Sequence, residues 1–155
     1  MKKESKLIEL KRKYEKYRKK YNLPSFDELN KEFDIEKLKD DETMFLLRNI
    51  RRHMEEKIVS FANFFDGVLS LRGIIAMMIS KRLEKEKDVM LTFIEKTVRI
   101  ILRDMKRELD YDEKKEAEEI KFLFEEWKNL KQDLMKIMDM LDKKIESKES
   151  RKYYG

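Results

Sequence analysis

The chain has no cysteine, one proline, three glycines and one histidine among its 155 residues. Without cysteine there is no disulfide framework, no thiolate metal site and no cysteine nucleophile, a composition suited to a reducing compartment. So few turn-formers leave a turn-rich β fold nothing to build its corners from. A di-iron carboxylate bundle needs Glu-x-x-His motifs on two helices, which one histidine cannot supply. The glycines form no phosphate-binding loop. Long apolar runs are also missing: the longest, Ile74 to Ile79, falls far short of the roughly 18 residues of a membrane span. Met1-Lys2-Lys3-Glu4 opens on charge rather than on the apolar core of a signal peptide. The expectation is a soluble, cytoplasmic protein without metal, cofactor or small-molecule ligand.

What is abundant is charge, at 46% of residues against about 25% in an ordinary chain. Both signs are interleaved among plentiful apolar residues, the pattern of solvated helix faces over a core and not of a disordered polyelectrolyte. Leu7, Leu10, Tyr14, Tyr17 and Tyr21 recur every three or four residues and predict a first helix, broken at Pro24. Ser25 and Glu28 have the spacing of a capping box for a short helix burying Phe26, Leu29 and Phe33, with a turn at Asp34-Ile35. Asp40 or Asp41 is placed to cap a long apolar helix through Leu47, Ile50, Met54, Ile58, Phe61, Phe65 and Val68. A break is expected between Gly67 and Gly73, then a short apolar helix from Ile74 to Leu83. Leu91, Ile94, Val98, Ile101 and Met105 mark the buried seam of the next long helix. Asp112 then caps a last helix with a seam from Ile120 through Leu123, Trp127, Leu130, Leu134, Ile137 and Leu141 to Ile145. The predicted fold is all-α: an up-down bundle of four long amphipathic helices plus two short ones, one domain over 1–147 with a frayed tail at 148–155.

Three features bear on function. Residues 1–21 hold ten Lys/Arg against three Glu, with three tyrosines among them. Cations contact phosphates and rings stack on bases, so Lys11, Arg12, Lys16, Arg18, Lys19 and Lys20 form a candidate RNA- or DNA-binding set. The tyrosines, however, share a seam with Leu7 and Leu10, which directs them toward protein. Residues 22–44 hold eight acids against three lysines, and residues 108–119 hold seven against two. The basic first helix therefore has acidic surfaces to dock on, in its own chain or in a second copy. Finally, Met and Phe residues widen the apolar stripes, and Ile74, Ile75, Met77 and Met78 are candidates for a protein-interaction surface.

The single histidine stands in Arg48-Asn49-Ile50-Arg51-Arg52-His53, which resembles the Arg-x4-6-His pattern of the HEPN superfamily of small helical domains, some of them metal-independent ribonucleases. The resemblance implies Arg48 and His53 acting together on an RNA phosphodiester. This motif lies in the first half of the chain, where that family carries it late. Positions five apart also lie about 140° around a helix. The stretches 23–35 (LPSFDELNKEFDI), 45–52 (FLLRNIRR), 116–120 (EAEEI) and 124–127 (FEEW) resemble a family of small uncharacterised helical archaeal proteins, which implies an all-helical cytoplasmic protein and no activity. The leading expectation is a non-enzymatic interaction protein that self-associates or binds a protein partner, followed by nucleic-acid association through the first helix and a HEPN-like ribonuclease.

Overall fold

The computed structural model describes residues 2–40, 43–70 and 86–152, with side chains over 6–40, 44–70 and 86–143. The chain is all-α, and no strand occurs among the described residues. Among the described residues five α-helices follow one another: α1 Lys2–Tyr21, α2 Phe26–Phe33, α3 Leu46–Leu69, α4 Lys87–Glu108 and α5 Glu113–Lys152. Two 3-10 turns, Ile35–Asp40 and Thr43–Phe45, join α2 to α3.

Local chemistry sets most boundaries. The Ser25 hydroxyl accepts from the Glu28 amide at 3.2 Å while the Glu28 carboxylate accepts from the Ser25 amide at 2.8 Å, so two otherwise orphaned donors are satisfied at once. Asp34, at φ 55°, closes α2 in the left-handed conformation, its amide donating to the Asn30 carbonyl at 2.8 Å. The Asp112 carboxylate caps α5 by accepting from the Lys115 amide at 2.9 Å.

Two boundaries depart from expectation. α3 does not begin directly after Asp40: that residue closes the first 3-10 turn and pairs with Lys6 of α1 at 2.9 Å, and the chain enters α3 at Leu46 through the second turn. Asp41 lies outside the described residues. At the other end, α5 continues beyond Ser147 to Lys152. The apolar rhythm stops there, but lysine, glutamate and arginine are good helix formers and propagate a ladder that is already nucleated. The short helix expected over Ile74 to Leu83 lies outside the described residues.

The chain divides into two compact units, residues 1–58 with 100–126 and residues 59–99 with 127–155. In the first, α1, α2 and the first 3-10 turn pack together, burying Leu10, Tyr14, Phe26, Leu29, Phe33, Ile35 and Leu38. The Tyr14 hydroxyl, fully buried, donates to the Pro24 carbonyl at 2.6 Å, so its polar end is satisfied. Leu47, Ile50, Met54 and Ile58 of α3 and Ile120 and Leu123 of α5 complete this core. In the second, Phe65 meets Phe93 edge-on with centroids 5.4 Å apart, and Trp127 lies 6.0 Å from Phe61. Leu130, Leu134, Ile137 and Leu141 continue the α5 seam.

The seam expected for α4 is overturned. Its buried residues are Met90, Phe93, Thr97 and Ile100, whereas Leu91, Val98 and Met105 are exposed and Ile94 and Ile101 only half-buried. Thr97 is tolerated inside because its hydroxyl donates to the Phe93 carbonyl at 3.0 Å. Further along the helix, within the first unit, half-buried Asp104 and the more exposed Glu108 meet a buried arginine. A helix presents one face to one neighbour, and these two carboxylates have to be on it.

Candidate functional site

That arginine is Arg51. It sits on the apolar row of α3, four residues after Leu47 and seven before Ile58, and is fully buried. Four carboxylates surround it. Glu116 lies 2.5 Å from Nε and Glu108 2.5 Å from Nη2, Asp104 pairs with Nη1, and Glu55 stands 3.8 Å from Nη1. Arg48 shares Glu116 at 3.2 Å and Arg52 takes Glu108 with both oxygens. Three arginines thus face four carboxylates. Burial pushes Glu55 up to about 7, reinforced by Glu108, Glu56 and Glu119 and opposed by Arg51. Glu108, bound by Arg52 and Arg51, is held down at about 2. With Glu55 protonated the cluster is neutral. Among the described residues no group of three His, Cys, Asp or Glu side chains is arranged to hold a metal; the cation at the centre of these carboxylates is a guanidinium. The sequence did carry a signal for Arg51, its place on the α3 seam, but the charge hid it.

The HEPN-like pair is taken by separate partners. The Arg48 guanidinium binds Glu116, donates to the Arg107 carbonyl at 3.5 Å and lies 4.8 Å from the Tyr111 ring centre. His53 Nε2 donates to the Phe33 carbonyl at 2.8 Å. His53 lines an open groove of about 600 Å³ with Lys37, Leu38, Met44, Phe45, Asn49, Arg52 and Glu56. Arg48 is not among these residues, so the arginine sharing the groove is Arg52, already committed to Glu108.

On α1 the acidic segments dock internally, as one of the two arrangements expected. Lys11 reaches Asp27 at 3.4 Å, Lys20 reaches Glu113 at 2.8 Å, and Arg18 pairs within the helix with Glu15 at 2.8 Å. The Tyr21 hydroxyl donates to Glu113 at 2.6 Å, Tyr17 is half-buried and Tyr14 is in the core. The rings are therefore turned toward protein. Of the six candidate cations, Arg12, Lys16 and Lys19 are exposed and carry no ion pair among the described residues.

The candidates Ile74, Ile75, Met77 and Met78 lie outside the described residues. Among the described residues an exposed apolar row lies on α4: Leu91 at 47%, Val98 at 44%, Leu102 at 55% and Met105 at 60% exposure, with Leu109 just past the helix at 88%. Residues advance about 100° each around a helix, so these five fall within one narrow arc. From buried Phe93 round to Leu102 the apolar sector spans about 180°, against the roughly 100° stripe that one packing face needs. The excess is a second face. Its signal was in the sequence as two overlapping apolar rows, of which only one can enter the core.

No helix among the described residues is long and apolar enough to cross a membrane. Comparison with protein-family models, with curated proteins and with solved structures returns no match.

Proposed function

We propose that the chain is a non-enzymatic helical interaction protein that docks another protein surface along the outer face of α4. The observation supporting this is the row Leu91, Val98, Leu102 and Met105, each about half or more exposed on a helix whose other face is already buried. Single exposed apolar residues are ordinary; a contiguous row at heptad spacing is what a partner helix recognises. Because the chain has no native cysteine, thiol labelling reads this face directly. Leu102→Cys in the dilute purified protein reacts with a maleimide as fast as Asn129→Cys, an exposed polar control. Inside cells, Cys introduced at 102 becomes at least about tenfold protected while the control does not, since closely packed interface cores exclude water and reagent. Equal reactivity in cells defeats the reading. So does protection that persists in protein shown to be monomeric, which assigns the cover to the chain itself.

A second reading, RNA or DNA association through α1, draws support from Arg12, Lys16 and Lys19, which follow one another at spacings of four and three on the exposed side of the helix. It is weakened by the inward tyrosines and by the acidic partners of Lys11, Arg18 and Lys20.

A further inference from the structure

The outer row of α4 is flanked along one edge by four exposed charges, Asp88, Glu95, Arg99 and Lys106, none with an ion pair among the described residues. At about 100° per residue they fall within roughly 40° of one another, beside the apolar row. The acids stand in the N-terminal half of the helix and the bases in the C-terminal half. Two further cations of the polar side are engaged: Lys96 pairs with Asp133 at 2.6 Å and Arg103 with Glu119 at 2.9 Å.

From this juxtaposition we infer that the partner of the α4 face is a second copy of this chain, its α4 packed antiparallel through a two-fold axis near position 97. The inference rests on the reading of α4 as a docking face and specifies the occupant. In an antiparallel pair of helices the same edge of each helix lies alongside its counterpart, running in opposite directions. Asp88 then faces Lys106 of the other copy and Glu95 faces Arg99, and both pairs are centred on the same residue, position 97. The apolar row from Leu91 to Met105 is centred on Val98, one position away. An unrelated partner gives no reason for these centres to coincide, whereas an isologous two-fold interface requires self-complementarity. A parallel pairing sets opposite edges of the two helices together and leaves these charges unmatched. The helix is continuous from Lys87 to Glu108, so its own geometry carries the register.

The test is sedimentation of the full-length purified chain across micromolar concentrations, for the wild type and for Glu95→Arg, Arg99→Glu and Leu102→Glu. The wild type forms a dimer. Leu102→Glu dissociates it, and each single charge reversal weakens it by about tenfold or more, because like charges are brought together twice across the axis. An equimolar mixture of Glu95→Arg with Arg99→Glu restores the dimer as a heterodimer, since both interchain pairs are again of opposite sign. That rescue separates pairing between chains from any effect of these residues, four apart, within their own helix. Unchanged circular dichroism and melting of the monomeric variants show that the fold is intact. A wild type that stays monomeric overturns the inference, as does a dimer indifferent to Leu102→Glu, or single variants that the mixture fails to rescue. A monomer whose residue 102 is nevertheless protected in cells removes the second copy and keeps the docking face. A monomer unprotected in cells removes both.

Discussion

Arg51 concentrates the electrostatic stakes of the chain in one side chain. Four carboxylates depend on it, three of them, Glu116, Glu55 and Asp104, themselves largely out of water. Removing one partner of a buried ion pair strands the other charges, at a cost of about 3–5 kcal/mol. Arg51→Met, which preserves volume and removes charge, should therefore lower the unfolding free energy obtained from urea titration by an amount in that range; a loss under about 1 kcal/mol means the carboxylates find other cations or water. Glu55 gives the cluster a pH dependence. Its pKa in the folded chain, about 7, lies above the ordinary 4.5, so the folded state holds this proton more tightly than the unfolded one. The resulting stability is fully present below about 4.5 and is lost as pH rises through 7. Glu108, held at about 2, works the other way: its contribution is present above 4.5 and lost as pH falls toward 2. Stability followed by thermal melting should thus decline between about pH 5 and 8, and Glu55→Gln should flatten that decline. A variant whose profile still tracks the wild type places the titrating group elsewhere.

At the scale of elements, α4 carries two apolar rows and its rotation decides which is structural. The buried row is anchored by Phe93 against Phe65 at one end and by Asp104 and Glu108 against Arg51 at the other. Phe93→Ala should cost about 3–5 kcal/mol, as for other large buried aromatics. Leu102→Glu, measured on monomeric protein, should stay within about 0.5 kcal/mol of wild type, because a solvent-facing position loses little packing. Comparable losses in the two variants would mean that both rows are core. The remaining elements were legible from local chemistry. The capping box at Ser25 and Glu28, the turn at Asp34 and the cap at Asp112 are short-range devices, complete within four residues of chain. The start of α3 was not, because Asp40 closes a 3-10 turn and pairs with Lys6, thirty-four residues away, and a second turn intervenes before the helix.

On the scale of the whole molecule, net charge of +5 invites a polyanion, yet the tertiary arrangement uses up much of the basic helix internally. Binding to single-stranded RNA should accordingly be weak and almost wholly electrostatic. If Arg12, Lys16 and Lys19 make phosphate contacts, the logarithm of affinity falls with the logarithm of salt with a slope of about −2, from roughly 0.7 per contact. Replacing all three by glutamine then abolishes it. Binding that persists unchanged in the triple variant moves the nucleic-acid surface off α1, and none at low salt ends that reading.

Helix class, helix spacing and the caps of α2 and α5 follow from the sequence by itself, because each depends on neighbours within a turn or two and on the period of apolar residues. The seams of α3 and α5 also follow, since each of those helices has one dominant apolar row. Tertiary structure alone decided the faces of α4 and the burial of Arg51. Periodicity ranks rows by hydrophobicity and reads the aliphatic row Leu91, Ile94, Val98, Ile101 and Met105 as core and an arginine as surface. Packing instead ranks them by what they meet: Phe93 meets an aromatic edge, and Asp104 and Glu108 meet a guanidinium that has no water to turn to. An ion pair buried across helices constrains rotation as firmly as an apolar stripe, and its partners lie more than fifty residues apart in the chain.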